Sequence, residues 1–500
     1  MKTRIRQIEW YMKYPHDAQN KWFNKLIAMA APTEWGRKYD YKSIKNPDDF
    51  RFRVPVNDYE ALKPFIERMR AGEQNVLWPS DIKWFSQSSG TTADKSKYIP
   101  VSREALDDCH FKGGRDMLTM YCNNYPQTKL FSGKAIGMSG TYNYQDSGSN
   151  IRYGDISAIL LRHLPFWITM FRTPVRSVAL LGEWETKIEQ IARLTMKQNV
   201  TSITGVPSWT LILLKHILSA AQKDNIAHVW PNLELFVHGG VSFEPYRDQF
   251  KKICPPEMNY MEAYNASEGF FAIQDTSQSE MLLMPDHGVY YEFMPLSELG
   301  KDNPKTCLLH EVNTSDQYAV IISTNAGLWR YMIGDTIRFT NLSPYRIRIM
   351  GRTRLFINAV GEELMIDNAE RAMAITCQST GAVINEFTAA PVYFGEQQNA
   401  AHEWIVEFVN YPDHIENFTH SLDNALKSQN SDYEAKRHNN MVLRAPVITV
   451  VENGTFYEWM KSKGKLGGQN KVPRLSNDRR IADEIIAFVQ SQKKLKKELT

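Results

Sequence analysis

The sequence predicts an α/β protein with a large N-terminal domain and a small α+β C-terminal domain. Strand and helix patterns alternate between residues 134 and 240, which is typical of parallel-rich sheets covered by helices. Apolar residues that alternate between 281 and 330 predict antiparallel strands, and hence a barrel-like β subdomain within the large domain. Because 500 residues exceed what one small core needs, we expect two or three domains.

Composition and charge indicate a globular protein. The net charge is only +3, so there is no electrostatic argument for a nucleic-acid partner. The N-terminus lacks the apolar core of a signal peptide and no stretch approaches a membrane span, so we expect a cytoplasmic protein without a membrane partner. The five cysteines are scattered, which argues against a disulfide framework or a structural zinc site. We also expect a monomer.

The N-terminal residues 1 to about 80 predict helices that serve packing. Trp22, Phe23, Leu26 and Ile27 recur at helical spacing, as one buried helix face requires.

A hydroxyl-rich loop follows, between strand-like runs at residues 82–85 and 98–101. Backbone N–H groups, hydroxyls and ammonium groups all donate to phosphate oxygens, so this loop can hold a polyphosphate. It lacks the paired glycines of the Walker pattern, and the alternative interpretation is a polar turn joining two strands. The candidate phosphate-binding residues are Ser88, Ser89, Gly90, Thr91, Thr92 and Lys97.

The next segment predicts a helix from Ser102, which carries Arg115, and then strands that end near Val206 and at Gly239 and Gly240. Ligands gather at the carboxyl ends of parallel strands. The glycines could let the backbone approach a flat base, although a plain strand-ending turn explains them equally well.

Two further motifs combine residue types suited to nucleotide binding. Tyr264, Ser267 and Glu268 place an aromatic ring, a hydroxyl and a carboxylate within five residues. Magnesium commonly takes a single carboxylate together with substrate phosphates and water, although an isolated Glu after a turn is more often a solvated charge. Asp335 follows Gly334, and its carboxylate could accept from two hydroxyls; a Gly-Asp hairpin turn is the alternative.

A domain boundary is predicted near Arg352 and Arg354, since Gly351 and Gly361 bracket a short two-stranded pattern before a helix. Residues 464–474 then form a glycine-rich stretch ending in Gln-x-Lys-x-Pro-Arg, which contains Lys471. A flexible surface loop is the alternative interpretation of this stretch.

These four motifs, in this order over nearly the whole chain, resemble the adenylate-forming enzymes and, more narrowly, the auxin-responsive Gretchen Hagen 3 (GH3) family of acyl-acid amido synthetases. Several relatives have glycines where this chain has Ala93 and Asp94. The resemblance implies that ATP binds the hydroxyl-rich loop, that Gly239 and Gly240 lie near the adenine, and that Arg115 and Val206 line the acyl pocket. A surface salt bridge is the alternative interpretation of Arg115.

The resemblance also implies individual roles. Tyr264 would stack on the adenine, Ser267 would contact a phosphate, and Asp335 would accept from the ribose hydroxyls. Glu268 would hold Mg²⁺ as a catalytic ligand, Arg352 would contact the ribose or phosphate, and Lys471 would be the mobile catalytic cation.

The implied organisation is a large ATP- and acyl-acid-binding domain at 1–350, a hinge at 351–361 with Arg354 as its pivot, and a small mobile domain at 362–500. The implied activity is ATP- and Mg²⁺-dependent adenylation of a small carboxylic acid, followed by acyl transfer to an amine such as an amino acid. An acyl-CoA ligase and a non-catalytic nucleotide-binding module remain the alternatives. Acyl-pocket positions carry no motif, so the acid and the amine are not predicted.

Overall fold

The computed structural model describes residues 2–89, 96–144, 150–240, 243, 247–276, 280–353, 356–362, 364–394, 400–438, 442–463, 472 and 474–498. The chain divides into two compact units, the first comprising residues 1–88 and 97–353 and the second chiefly residues 354–500. The division falls inside the predicted hinge, whose movement stays a prediction.

The helices of the described residues include one continuous run from 103 to 124 that contains a π-helical turn at Leu106–His110. The α-helices are α1 (Lys2–Lys13), α2 (Pro15–Ala30), α3 (Glu34–Lys38), α4 (Pro47–Arg53), α5 (Tyr59–Arg70), α6 (Arg103–Ala105), α7 (Phe111–Asn124), α8 (Ile156–His163), α9 (Arg176–Ala179), α10 (Trp184–Thr195), α11 (Pro207–Ala221), α12 (Arg247–Ile253), α13 (Ile366–Thr380), α14 (Ile415–Gln429), α15 (Ser431–Arg437), α16 (Thr455–Ser462) and α17 (Arg480–Glu498). None of the helices in this part of the chain combines the length and apolar character needed to cross a bilayer.

The strands of the same residues fall in both units. They are β1 (Trp84–Ser89), β2 (Ser96–Val101), β3 (Lys134–Gly137), β4 (Tyr142–Tyr144), β5 (Arg152–Gly154), β6 (Arg172–Thr173), β7 (Val200–Gly205), β8 (Leu235–His238), β9 (Asn259–Ala266), β10 (Gly269–Ile273), β11 (Met281–Leu283), β12 (Val289–Pro295), β13 (Gln317–Thr324), β14 (Tyr331–Leu342), β15 (Tyr345–Arg352), β16 (Phe356–Ile357), β17 (Leu364–Met365), β18 (Val383–Tyr393), β19 (Ala400–Asn410) and β20 (Val447–Val451).

The main sheet of the first unit combines parallel and antiparallel pairing. Strands β6, β3, β7, β8 and β9 are joined by parallel pairs, and the sheet continues through antiparallel pairs to β10, β11, β15, β14, β13 and β12. A second sheet has the order β2-β1-β5-β4. The predicted α/β class is confirmed, and the antiparallel strands are hydrogen-bonded into the same sheet as the parallel ones.

The N-terminal helices pack as their apolar spacing predicts. Trp22, Phe23, Leu26 and Ile27 are all buried. The ring of Phe23 lies 5.0 Å from that of Tyr290 in β12, which places α2 against the antiparallel half of the sheet. Burial of this apolar face, more than helix propensity, stabilises such a helix.

The second unit contains a three-stranded sheet of order β18-β19-β20 with helices of the same unit beside it. Its beginning is fixed by a buried carboxylate, because Glu362 accepts from the backbone N–H groups of Ala359 and Val360 at 2.7 Å each. His402 Nε2 lies 2.7 Å from the same carboxylate. Burial alone would raise the pKa of Glu362, but the hydrogen bond with His402 and those from the backbone lower it.

Candidate active site

A serine pair joins strand β1 to the turn between β9 and β10. Ser86 Oγ donates to Ser267 Oγ at 2.8 Å, although the two residues lie 181 positions apart. Strand β9 ends at Ala266 and β10 begins at Gly269, so Ser267 and Glu268 form a two-residue turn between paired strands. The turn is therefore held against the strand that leads into the hydroxyl-rich loop.

A buried tyrosine and aspartate form the second contact. Tyr264 Oη donates to Asp335 Oδ2 at 2.7 Å, and the two residues are only 5% and 8% exposed. Asp335 lies within β14, opposite Arg352 of β15. The Gly-Asp pair is thus part of a long strand, and the alternative of a hairpin turn at this position is wrong.

Two glycines let the end of β8 approach β9. A Cβ atom at residue 239 would lie 2.4 Å from the carbonyl oxygen of Ala263, and Gly240 has a φ of +82°. Val206 Cγ2 lies 3.7 Å from the position that a Cβ of Gly240 would occupy. Val206, Gly239 and Gly240 therefore lie together. Close packing accounts for Gly239 and the left-handed backbone accounts for Gly240, and neither reason needs a ligand.

The remaining predicted residues are placed as follows. The ammonium group of Lys97 lies 5.9 Å from the ring centroid of Tyr59. Arg115 is exposed on α7, and within the described part of the chain its side chain makes no hydrogen bond or ion pair with the site. The structure does not describe the side chains of the other predicted site residues, which are Ser88, Ser89, Gly90, Thr91, Thr92, Arg352, Arg354 and Lys471.

A buried hydrogen-bond network that contacts the start of β10 was not predicted from the sequence. Asp116 Oδ1 accepts from Arg4 Nε at 2.7 Å, and Asp116 Oδ2 lies 3.0 Å from His287 Nε2. The other ring nitrogen of His287 lies 3.0 Å from the carbonyl oxygen of Phe270. Burial alone would raise the pKa of Asp116, but the bonds from Arg4 and His287 lower it to about 2.

This network positions the first residues of β10, directly after Glu268. The backbone N–H of Phe270 donates to Cys109 Sγ at 3.1 Å, and a Cβ atom at Gly113 would lie 2.4 Å from the Phe270 ring. Burial raises the pKa of the Cys109 thiol to about 12, so the thiol is a neutral packing and hydrogen-bonding group.

The donor set is compatible with magnesium. Glu268 is half-buried at the turn, next to the Ser267 hydroxyl. Among the described residues, no three or more His, Cys, Asp or Glu side chains converge as in an all-protein metal cage. Magnesium is commonly bound by one or two carboxylates together with substrate phosphates, and Glu268 can supply one such carboxylate.

Solved structures define the class of fold. The chain matches the GH3.15 acyl acid amido synthetase with a TM-score of 0.61 and 16% identity, covering 97% of this chain and 96% of that one. It matches 2-hydroxyisobutyryl-CoA ligase with a TM-score of 0.55 and 14% identity, covering 95% and 92%. The chain has the fold of the adenylate-forming ligases.

Family models then identify the family. Residues 4–258, 282–352 and 367–480 match the N-terminal, central and C-terminal domains of the GH3 family. This chain belongs to the GH3 family, which confirms the resemblance seen in the sequence motifs.

Relatives from plants match over almost the whole chain. Indole-3-acetic acid-amido synthetase GH3.3 of Arabidopsis thaliana is 23% identical over 94% of this chain and 91% of its own length. Jasmonoyl-L-amino acid synthetase JAR6 of Nicotiana attenuata is 22% identical over 94% and 92%.

Proposed function

We propose that this protein is an acyl-acid amido synthetase. It adenylates a carboxylic acid with ATP, then transfers the acyl group to an amine, with an amino acid as the acceptor, and releases AMP and pyrophosphate. Membership of the GH3 family and the relatives named as amido synthetases support this proposal. The observation that carries it is the meeting of three separate motifs through the Ser86–Ser267 and Tyr264–Asp335 hydrogen bonds.

The nucleoside of ATP would lie against Tyr264 and Asp335. Each carboxylate oxygen can accept more than one hydrogen bond, so the bond from Tyr264 is compatible with bonds from the ribose hydroxyls. Gly239 and Gly240 would border the adenine, and Arg352 would reach the ribose or a phosphate.

The phosphates would lie at the loop between β1 and β2, where Ser88 to Thr92, Lys97 and Ser267 can donate to their oxygens. Glu268 would hold Mg²⁺, which when bound neutralises negative charge on the phosphates and on the leaving pyrophosphate.

Adenylation requires an oxygen of the acid to attack the α-phosphorus in line as the bond to pyrophosphate breaks. The protein contributes mainly positioning and charge neutralisation, and Lys471 would bridge the carboxylate and the α-phosphate. The amine then attacks the acyl carbon of the mixed anhydride and AMP leaves. Rotation of the second unit about residues 351–361, with Arg354 as pivot, would separate the two steps.

The setting we propose is a monomer in a reducing cytoplasm. All five cysteines are free, with burial raising the pKa of each thiol. Such thiols need no oxidising compartment.

Product analysis tests the acceptor. The protein is incubated with ATP, Mg²⁺ and an acid pool, together with either the twenty amino acids or coenzyme A, and products are identified by mass spectrometry. Amide and AMP in equal amounts are expected with amino acids only. A thioester formed with coenzyme A would favour the acyl-CoA ligase, and bound ATP without any product would favour a nucleotide-binding module.

A further inference from the structure

Arg172 lies at the carboxyl edge of the parallel half of the main sheet. It begins β6 and pairs with Ala135 of the parallel strand β3. Its side chain extends to the last residue of β3, since a Cβ atom at Gly137 would lie 1.8 Å from Nη2 of Arg172. Only glycine at position 137 leaves room for the guanidinium at this place.

The same edge carries the residues of the candidate active site. Strands β3, β7 and β8 are parallel neighbours, with Gly137 opposite Thr204 and Gly205 opposite His238. Their carboxyl ends therefore lie side by side, so Val206 and Gly239 are on the same edge of the sheet as Gly137. Strand β9, which leads into the Ser267–Glu268 turn, is three strands from β3 in the sheet. Through the register of β7 and β8, Gly137 is level with Met261, six residues before Ser267. At about 4.8 Å per strand and about 3.3 Å per residue, Gly137 lies roughly 25 Å from that turn, and the strand ends at Val206 and Gly239 lie between them.

The Arg172 guanidinium lacks a protein partner in the described part of the chain. Burial lowers its pKa below the ordinary value, and neither a hydrogen bond nor a neighbouring carboxylate contributes in the opposite direction. By contrast, two buried arginines of the described residues are paired: Arg330 binds Glu292 at 2.9 Å and Arg437 binds Asp423 at 2.6 Å. Removing a guanidinium from water without giving it a partner costs free energy. A carboxylate ligand can offset this cost, because it accepts two parallel hydrogen bonds from the guanidinium.

The backbone beyond Gly137 is fixed by side chains. Lys187 Nζ donates to the carbonyl oxygen of Ser139, whose hydroxyl donates to the carbonyl oxygen of Ala179 at 2.8 Å. The N–H of Gly140 donates to Ser157 Oγ at 2.9 Å. Burial lowers the pKa of Lys187 to about 8. A surface held in this way is preorganised to receive a ligand.

We propose that Arg172 binds a substrate carboxylate, either the α-carboxylate of the acceptor amino acid or the carboxylate of the acyl acid before activation. This inference rests on the proposed function, in which both substrates carry that group. The sequence resemblance gave the acyl-acid role to Arg115, which is exposed on α7.

Kinetics of three variants test the proposal. Arg172→Gln removes the charge, and Gly137→Ala keeps the charge but displaces the flexible end of the arginine. Arg176→Gln, at an exposed arginine four residues along, is the matched control. Both test variants are expected to raise the KM of one substrate about 10- to 100-fold, because each loses one charge-assisted hydrogen-bonded pair. The control variant should keep the wild-type KM for both substrates. The double variant should be no worse than Arg172→Gln alone, because both changes remove one interaction.

Measuring adenylation and acyl transfer separately shows which of the two substrate carboxylates Arg172 binds. If Arg172 binds the acceptor, ATP–pyrophosphate exchange is unchanged, the KM of the amino acid rises, and the KM of the corresponding amine without a carboxylate does not. If Arg172 binds the acyl acid, the KM of the acid rises in the exchange reaction itself. Unchanged KM values for both substrates in folded Arg172→Gln and Gly137→Ala would overturn the proposal.

Chemical protection tests the site independently of turnover. Phenylglyoxal is expected to modify Arg172 in the wild-type protein, as mapped by mass spectrometry, and the acid or amino-acid pool should slow this reaction at Arg172 but not at Arg176. If a substrate pool protects Arg172 but the protein catalyses no ATP–pyrophosphate exchange, the proposed function is contradicted and the carboxylate site is supported. If the protein catalyses exchange but no pool protects Arg172, the carboxylate site is contradicted and the proposed function is supported.

Discussion

Asp335 shows how much of the candidate site depends on single residues. Its carboxylate accepts the Tyr264 hydroxyl at 2.7 Å in a position that is 8% exposed. An anionic acceptor in such a place binds hydroxyl groups more strongly than a neutral one does, because charge-assisted hydrogen bonds are about twice as strong.

Substituting this residue should affect ATP more than the fold. We expect Asp335→Asn to raise the KM for ATP about 10- to 100-fold, since the amide loses the charge and one acceptor oxygen. Tyr264→Phe is the matched control, because it removes the hydroxyl and keeps the ring and the carboxylate; we expect less than about fivefold. Initial rates measured over a range of ATP concentrations give both KM values. Equal, small effects would mean that Asp335 does not bind the ribose.

The residue types within motifs were predictable, but their distant partners were not. Tyr264, Ser267 and Asp335 stand out in the sequence because their neighbours form recognisable patterns. Ser86, Arg172 and the pair Asp116–His287 act through contacts across 35 to 181 positions, with no local pattern. A buried polar side chain leaves no periodic signal until the fold supplies its partner.

At the scale of elements, helix α7 and strand β10 meet at a glycine. A Cβ atom at Gly113 would lie 2.4 to 2.8 Å from three atoms of the Phe270 ring, whereas one at Gly114 would have no heavy atom within 4 Å. The π-helical turn before α7 contains Cys109, which accepts from the N–H of Phe270. The helix therefore fixes the strand that follows the Ser267–Glu268 turn.

The two adjacent glycines give a matched pair of substitutions. We expect Gly113→Ala to lower the free energy of unfolding by about 1 to 3 kcal/mol, because the aromatic ring must move. Gly114→Ala should leave it unchanged or raise it by up to about 1 kcal/mol, because alanine is the better helix former. Urea denaturation of both variants measures the difference. If Gly113→Ala proved as stable as Gly114→Ala, the contact between α7 and β10 would not be as described.

The periodicity of the sequence predicted which segments are helices and which are strands, but it did not predict how these elements pair with one another. The strand–turn–helix pattern at 200–211 predicts β7 and α11, and the alternation at 318–324 predicts β13. The sequence could not show that Gly334 and Asp335 continue a strand, because a Gly-Asp pair favours a turn unless tertiary pairing holds it extended. The π-helical turn likewise depends on packing against β10.

At the scale of the whole molecule, the proposed chemistry needs groups from both units. Tyr264, Ser267 and Asp335 lie in the first unit, and Lys471 belongs to the second by its position in the chain. The order of the motifs in the sequence predicts this organisation, whereas the relative movement of the units depends on energies that no local pattern encodes.

Substituting Lys471, the proposed mobile cation, tests whether the second unit supplies a catalytic group. We expect Lys471→Ala to lower the rate of adenylation on the order of 100-fold or more, since a preorganised charge at the transition state is lost. ATP binding should remain measurable by calorimetry, because the proposed nucleoside contacts Tyr264 and Asp335 belong to the first unit. Lys463→Ala is the control, since Lys463 forms an exposed ion pair with Glu484 at 3.0 Å, and such pairs contribute little. Turnover of Lys471→Ala at the wild-type rate would refute the assignment.

Acid-dependent ATP–pyrophosphate exchange tests the central claim most directly. The wild-type protein is incubated with ATP, Mg²⁺ and labelled pyrophosphate, with pools of aryl, indolyl or aliphatic acids, and without amine or coenzyme A. Adenylation predicts that label enters ATP with at least one pool and not without acid. A protein that binds ATP yet exchanges no label with any pool would contradict the account.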